Sequence, residues 1–526
     1  MLLPVCMSAI LFSFNIGLSL FAIFVFINKF LVLAGNESNS YSNIFRGMKI
    51  FGGVQAFQMA VSLLRGKFVA MFLGPAGMGV SSLFASSASA IQQLASLGVP
   101  LATAREVALK YDEEKKSGHI AMVAAASRLA TFITGALATL CCLAASRFLS
   151  LLTFGSDEQA FGFAILGAVV WLQMAGANEI ALMQGMRELK RLGRSSVTGA
   201  AVGLCLAVPM YYLWGTASIV PAMLVMAAVM FVICRYNCGR ALRLAGIQPG
   251  GNAKLGEIWN VSKSLLGFGV IITLAGTITQ TCIYFTNVII KSIGTIDELG
   301  YYSAAMSISN QCVTMIFTAM AMDYFPRLTA CIGRRAEWLV TVRRQAELVA
   351  LVAAPIAVSV VIAAPFVVDV LLTETFAPAI SLLQWMAAGV FLRSLSYPLG
   401  YVILAKGNKM LYLCLEGILC NIVFVAATCG AYWLWGKDGL GIASIIIYGA
   451  DMLVYYCINR FVYGFSYGTG CMRKLPVLCG FVTMSLISVF LIKGQAGIIV
   501  CWLVFAAVCA YSLWHLRKML KMKIIK

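Results

Sequence analysis

Runs of about 20 apolar residues, the length that an α-helix needs to cross a bilayer, recur along the whole chain. Short polar turns separate them, so the pattern predicts an all-α polytopic membrane protein with about fourteen core spans. The spans are expected near residues 48–72, 78–100, 121–145, 160–183, 196–214, 217–234, 265–290, 299–322, 347–372, 377–404, 411–434, 439–458, 476–492 and 496–514.

The first forty or so residues form a separate apolar stretch that lacks the basic leading region of a signal peptide. We favour an additional N-terminal helix there. The alternative is that the natural protein starts later in this sequence, because "SNIFRGMKIFGG" resembles the N-terminus of a protein.

The order of the predicted spans repeats once along the chain. Two segments each place a helix with scattered polar residues before a turn bounded by glycines: "KFVAMFLGPAGMGVSSLFAS" (67–86) and "NVIIKSIGTIDELGYYSAAMS" (287–307). "VPLATAR" and "FPRLTA" then close the second and eighth spans in the same direction. This predicts two six-helix lobes related as a parallel repeat, followed by a helix pair. The expected domains are an extra segment 1–43, an N-lobe with a basic linker 44–262, a C-lobe 263–465, and a helix pair with a basic tail 466–526.

Composition agrees with a membrane protein, since 61% of the residues are hydrophobic and only 11% are charged. The formal net charge of +19 would suggest nucleic acid in a soluble protein. Here the loop cations follow the even-numbered spans, whereas the alternate loops hold only Arg147, Lys291, Lys437 and Lys493. By the positive-inside rule, the even loops and the C-terminus are cytoplasmic, and no nucleic-acid partner is expected.

Polar side chains form stripes within several predicted spans. On the seventh span they follow steps of three and four residues, at Thr273, Thr277, Gln280, Tyr284, Asn287 and Lys291. On the first span the same spacing joins Gln55, Gln58, Ser62 and Arg65. Such stripes either pack helices together or line a polar cavity. The larger side chains Gln55, Gln58, Gln280, Tyr284 and Asn287 favour contact with sugar hydroxyls.

Charged residues inside predicted spans are costly, about 3 kcal/mol or more near the bilayer centre, so each is a candidate functional group. Arg65 and Arg393 are the candidate ligands for an anionic headgroup such as a diphosphate. Lys67 shares its helix side with apolar residues and is expected to reach the outer headgroups, and Arg128 is expected to extend to the cytoplasmic surface.

Three acidic residues also fall within spans. Glu179, Glu416 and Asp451 are candidate counter-ions, or candidate sites for a coupling H⁺ or Na⁺. Their spacing alone does not choose between these roles.

Three segments carry a resemblance to a known family: "IFGGVQAFQMAVSLLRGKFVAMFLGPAGMGVSSLF", "LASLGVPLATAREVA" and "IALMQGMRELKRLGRSS". They resemble the Wzx-type O-antigen flippases, in the superfamily that also holds the MATE exporters and the lipid II flippases. The resemblance implies a V-shaped cavity between two lobes. It also implies export of an undecaprenyl-pyrophosphate-linked oligosaccharide from the cytoplasmic to the periplasmic leaflet of the bacterial inner membrane. A glycosyltransferase or polymerase of the same pathway is the implied protein partner.

Other classes of protein fit less well. A lipid II flippase is the first alternative, and a MATE-type multidrug exporter is the second, although the first six spans hold more cations than an organic-cation exporter would need. An enzyme, a metal site and a cofactor are not expected, because the chain has no phosphate-binding loop and no metal-ligand spacing. The 17 cysteines lie mostly in apolar runs and are expected to be packing residues.

Overall fold

The computed structural model describes residues 40–111, 118–247, 255–492 and 495–524, and these form helices without a strand. The predicted all-α fold is therefore confirmed. Most of the predicted segment 1–43, namely residues 1–39, lies outside the described residues.

Fifteen α-helices follow one another along the described chain. They are α1 Ser40–Ser96, α2 Val99–Tyr111, α3 Gly118–Ala144, α4 Ser146–Phe154, α5 Ala160–Gly185, α6 Leu189–Trp214, α7 Ile219–Leu244, α8 Leu255–Ile293, α9 Ile296–Cys331, α10 Arg335–Leu371, α11 Ala379–Ala405, α12 Lys409–Tyr412, α13 Cys420–Tyr463, α14 Gly468–Phe490 and α15 Gln495–Ile524. A π-helical stretch, Leu413–Leu419, joins α12 to α13.

Nine helical segments among the described residues are long and apolar enough to cross a membrane. Three of them, Gly52–Ser96, Leu189–Leu244 and Met410–Tyr463, have 45, 56 and 54 residues, more than one crossing requires. Each changes direction at a glycine with positive φ: Gly74, Gly215 or Gly436. The described part of the chain thus supports a polytopic membrane protein, and the total of fourteen spans stays a prediction.

Large apolar side chains lie on the exposed surface of the helices, where contact with water would be unfavourable. Phe161, Trp433 and Phe461 are more than three-quarters exposed. Aromatic residues also precede two of the glycine turns, with exposed Tyr212 and Trp214 before Gly215. Surfaces of this kind suit lipid, with aromatic rings near the membrane interface.

The chain divides into two compact units, residues 42–300 and residues 301–526. In the amino-terminal unit, α3 packs on α5 and α7 packs on both α5 and α6. One core of this unit contains Phe84, Phe163 and Leu166, and a second contains Val107, Leu182 and Leu242.

In the carboxy-terminal unit, α11 packs between α10 and α13, and α14 and α15 pack on α10. Its core is a continuous cluster that includes Trp338, Phe391 and Phe465. Each unit therefore has its own buried interior on which polar groups can be positioned.

Candidate functional site

A buried carboxylate in the amino-terminal unit holds two arginines. Glu179 on α5 is 2% exposed, and its two oxygens accept hydrogen bonds of 2.8 Å from Nε and Nη2 of Arg128 on α3. Nη1 of Arg235 on α7 donates to the same carboxylate over 2.7 Å. Glu179 is thus the counter-ion of two guanidinium groups, and this ion triad joins three helices.

The environment of Arg128 differs from the expectation drawn from the sequence. Its side chain is 17% exposed and is held in bidentate geometry, so the prediction that it extends to the cytoplasmic surface is wrong. The physical reason is that a bidentate ion pair with a buried carboxylate on a neighbouring helix is more favourable for a guanidinium group than a side chain extended over a long distance to water. The sequence did not indicate Arg235 as a site residue, because it directly follows a predicted span and has the position of an ordinary loop cation.

Next to this triad lies a network of uncharged polar groups. Asn178 donates from Nδ2 to the Ser127 hydroxyl over 3.1 Å and accepts a hydrogen bond from Thr103 over 3.3 Å. All three residues are buried. The network fixes α2, α3 and α5 to one another, because buried polar groups are costly unless each has a partner.

The polar face of the first span holds three predicted ligands. Gln55, Gln58 and Arg65 are half-buried on the part of α1 that precedes the bend at Gly74. Within the described residues, no carboxylate pairs with Arg65. Among these residues, no carboxylate therefore occupies its guanidinium group.

The seventh-span stripe is divided between two environments. Gln280 is half-buried, whereas Tyr284 and Asn287 are buried within the amino-terminal unit. The Tyr284 hydroxyl lies 2.7 Å from the Thr153 hydroxyl, and Nδ2 of Asn287 lies 3.5 Å from the Ser82 hydroxyl. Their predicted contact with sugar stays a prediction, and in this structure these polar groups contact neighbouring helices.

In the carboxy-terminal unit, the structure brings together three ionisable residues that the sequence suggested separately. Nη1 of Arg393 on α11 lies 3.3 Å from the Tyr448 hydroxyl on α13, and its guanidinium carbon is 5.2 Å from the centroid of that ring. Asp451, one turn further along α13, interacts electrostatically with both Arg393 and Glu416. We call Arg393, Glu416 and Asp451 the carboxy-terminal charge cluster.

The π-helical stretch presents the second carboxylate of this cluster. Glu416 lies in Leu413–Leu419, and its carboxylate accepts a hydrogen bond from the Tyr455 hydroxyl. Nδ2 of Asn421 donates to the backbone carbonyls of Glu416 and Gly417, over 2.8 and 3.0 Å. A buried amide thus stabilises the irregular turn, and π-helical turns of this kind occur frequently at functional sites.

Several tyrosines surround the carboxy-terminal charge cluster, and the sequence analysis missed them. Tyr448 and Tyr455 flank Asp451 on α13 at helical spacing, and Tyr397 follows Arg393 by one turn on α11. The spacing was readable from the sequence. The tyrosines were overlooked because, within apolar runs, they resemble ordinary packing residues.

Comparison with known proteins gives the family. Residues 68–381 match the family described as polysaccharide biosynthesis protein. The chain is 24% identical over 414 residues to the lipid III flippases of Escherichia coli (strain K12) and Shigella flexneri, covering 76% of this chain and 93% of each relative.

Solved structures show the same fold at low sequence identity. The lipid II flippase MurJ, in an inward closed conformation, has a TM-score of 0.60 at 11% identity and covers 92% of this chain and 100% of that one. An inward-facing MATE multidrug transporter of the MOP superfamily has a TM-score of 0.65 at 17% identity, covering 77% and 94%.

These relatives are named as flippases and transporters and are not enzymes. The resemblance to Wzx-type flippases of this superfamily is confirmed. Since the family match extends over more than half of the chain, this polytopic membrane protein belongs to the polysaccharide biosynthesis protein family.

Proposed function

We propose that this protein moves an undecaprenyl-pyrophosphate-linked oligosaccharide, an O-antigen or related surface polysaccharide unit, across the bacterial inner membrane by alternating access. The direction is from the cytoplasmic to the periplasmic leaflet, with the C-terminus cytoplasmic. The observation that carries the proposal is the match to polysaccharide biosynthesis proteins, joined to the likeness with lipid III flippases along 93% of their length.

The buried cations support an anionic lipid as the substrate. Arg65 and Arg393 lie within long apolar helices, where a guanidinium group is costly unless an anion neutralises it. A diphosphate offsets that cost through bidentate, charge-assisted hydrogen bonds. We assign these two arginines to the pyrophosphate, and Gln55, Gln58 and Gln280 to the sugars, with Tyr284 and Asn287 available to sugar only where their helix contacts open.

The balance of charge in the carboxy-terminal charge cluster supports a coupling cation. When both are ionised, Glu416 and Asp451 carry two negative charges against the single positive charge of Arg393, and the excess is larger when Arg393 binds the pyrophosphate. An uncompensated charge within a membrane is unfavourable, so uptake of one H⁺ or Na⁺ would restore neutrality. Glu179 has no such excess, since two arginines already bind it. We therefore assign the coupling role to Glu416 and Asp451.

The decisive experiment deletes the gene in its own bacterium and identifies which lipid-linked glycan accumulates in the inner leaflet. We expect an undecaprenyl-pyrophosphate oligosaccharide to accumulate and the corresponding surface glycan to disappear, with both restored by the wild-type gene. Accumulation of lipid II would favour the alternative of a lipid II flippase, for which the MurJ fold is the supporting observation. Unchanged surface glycan with altered drug sensitivity would refute the proposal.

The site assignment is tested at Arg65. Arg65→Ala should abolish glycan export while membrane insertion persists, and Arg65→Lys should restore it only partly, because an ammonium group lacks the planar fork. Lys67→Ala, two residues along the same helix, is the matched control and should retain export. Equal loss in the Arg65 and Lys67 variants would contradict the assignment of Arg65 to the substrate.

A further inference from the structure

Two glycines in the amino-terminal unit bring the first turns of two helical segments into backbone contact. A Cβ atom at Gly79 would overlap the carbonyl oxygen of Ile296, and one at Gly300 would overlap the carbonyl oxygen of Pro75. The contact is reciprocal: each helical segment offers a carbonyl and, four residues later, a glycine. Residues four apart share one helix face, so only glycine at both positions permits this approach.

Helix α8 is fastened to the same end of the unit by side chains. Nζ of Lys291 donates a 2.6 Å hydrogen bond to the carbonyl oxygen of Phe154, the last residue of α4. The final carbonyls of a helix lack intrahelical partners and carry partial negative charge, so a lysine there is favourable. Tyr284 contacts Thr153 one residue earlier on α4. Tyr284 and Lys291 are two turns apart on one face of α8.

We propose that these contacts form a clasp, made of Gly79, Gly300, Tyr284, Thr153 and Lys291, whose opening is the outer gating step of transport. The inference rests on the proposed function for its link to transport. The turns that meet are the two glycine-bounded turns that follow the first and seventh spans, and both belong to the loops predicted to be periplasmic. A substrate released on that side would need them to separate.

The chemistry of the contact suits a reversible closure. At Gly300 the atoms in closest contact are backbone atoms of Pro75, and at Gly79 they are the carbonyl oxygen and one methyl group of Ile296, so few side-chain contacts must break when the two turns separate. The hydrogen bonds of Lys291 and of the Tyr284–Thr153 pair join polar groups that water at the periplasmic surface can satisfy once the clasp opens. A permanently closed joint would instead be built from interdigitated apolar side chains.

The test uses a cross-link across the clasp. Ser82→Cys with Asn287→Cys replaces two side chains whose polar atoms lie 3.5 Å apart. We expect the pair, and neither single variant, to form a cross-link on oxidation that stops export and is reversed by a reductant. Continued export by the cross-linked protein would overturn the proposal.

The glycines are then tested in the same cross-linking background. Gly79→Ala and Gly300→Ala should each lower the cross-link yield by about threefold or more, because the overlap can be relieved only by moving one backbone away. Gly66→Ala is the matched control on α1, since nothing lies within 4 Å of its added Cβ. Thr153→Val removes the hydroxyl next to Tyr284 without introducing a backbone clash, so it should also lower the cross-link yield. Because this change is nearly isosteric, a lower yield in this variant separates weakened closure from misfolding.

Equal cross-link yields in the Gly79, Gly300 and Gly66 variants would overturn the clasp. These yields are measured in membranes without substrate. They therefore separate failure of the clasp from failure of the proposed function, which would appear as unchanged surface glycan in the gene deletion.

Discussion

The ion triad of the amino-terminal unit gives a quantitative prediction. Replacing Glu179 by Gln removes the charge that holds Arg128 and Arg235 over distances of 2.8 and 2.7 Å. Removing one partner of a buried ion pair costs about 3–5 kcal/mol. The side chain of Arg128 is 17% exposed, so the loss of its carboxylate should carry that full cost in the free energy of unfolding. The side chain of Arg235 is 47% exposed and can turn towards solvent, so it adds less than about 1 kcal/mol to the destabilisation. We expect Glu179→Gln to destabilise the protein by about 3 kcal/mol or more.

The assay is reversible unfolding in mixed micelles, followed by tryptophan fluorescence. Glu188→Gln is the control, because Glu188 pairs with Arg191 three residues away at 3.2 Å on a partly exposed surface. This change should cost only about 0.5 kcal/mol. The double variant Arg128→Gln with Glu179→Gln should be less destabilised than the sum of the single variants, by about 2 kcal/mol. Equal stability of the Glu179 and Glu188 variants, or strict additivity in the double variant, would refute the reasoning.

Two further predictions concern the carboxy-terminal unit. Gly436→Ala should destabilise the protein by about 1–3 kcal/mol, since Gly436 has φ 60° and ψ −145°, a region essentially restricted to glycine. Gly430→Ala, on the same helix and with open space around the added Cβ, should be neutral or stabilise the protein by up to about 1 kcal/mol in the same unfolding assay. Equal destabilisation by the two changes would argue against the strained turn. Asp451→Asn should slow export and make the remaining export insensitive to ionophores, because an amide neither takes up a proton at neutral pH nor carries the negative charge that attracts Na⁺. Asp369→Asn, at an exposed position near a helix end, should behave as wild type, and an ionophore-sensitive Asp451 variant would exclude that residue from coupling.

Several features of the fold could be predicted from local pattern alone. Apolar runs of spanning length, interrupted by glycine-bounded turns, indicate membrane helices because lipid requires every backbone polar group to be satisfied within its own segment. The turn that begins at Gly74 was readable in the same way, because glycines bound it within an apolar run, whereas the positive φ of Gly436 is known only from the structure. The family could also be recognised, because the segments that carry the resemblance are contiguous in the chain.

The candidate sites were only partly predictable. Arg393, Glu416 and Asp451 stood out singly as charges inside apolar spans, but nothing in their spacing joined them. The structure relates them through the packing of α11 on α13 and the irregular turn that carries Glu416. Likewise, helical spacing placed Tyr284 and Asn287 on a polar face without naming the partners of that face.

The sequence by itself therefore determined what each segment must be, a lipid-spanning helix with a particular polar face, because that outcome depends on hydrophobicity and helical period over neighbouring residues. Tertiary structure alone decided which polar groups meet. Glu179 finds Arg128 and Arg235 on separate helices, and Gly79 meets the carbonyl oxygen of Ile296, over sequence separations that no local period encodes. The physical reason is that ion pairing and backbone contact depend on distances of a few ångströms, which only the packing of whole helices sets.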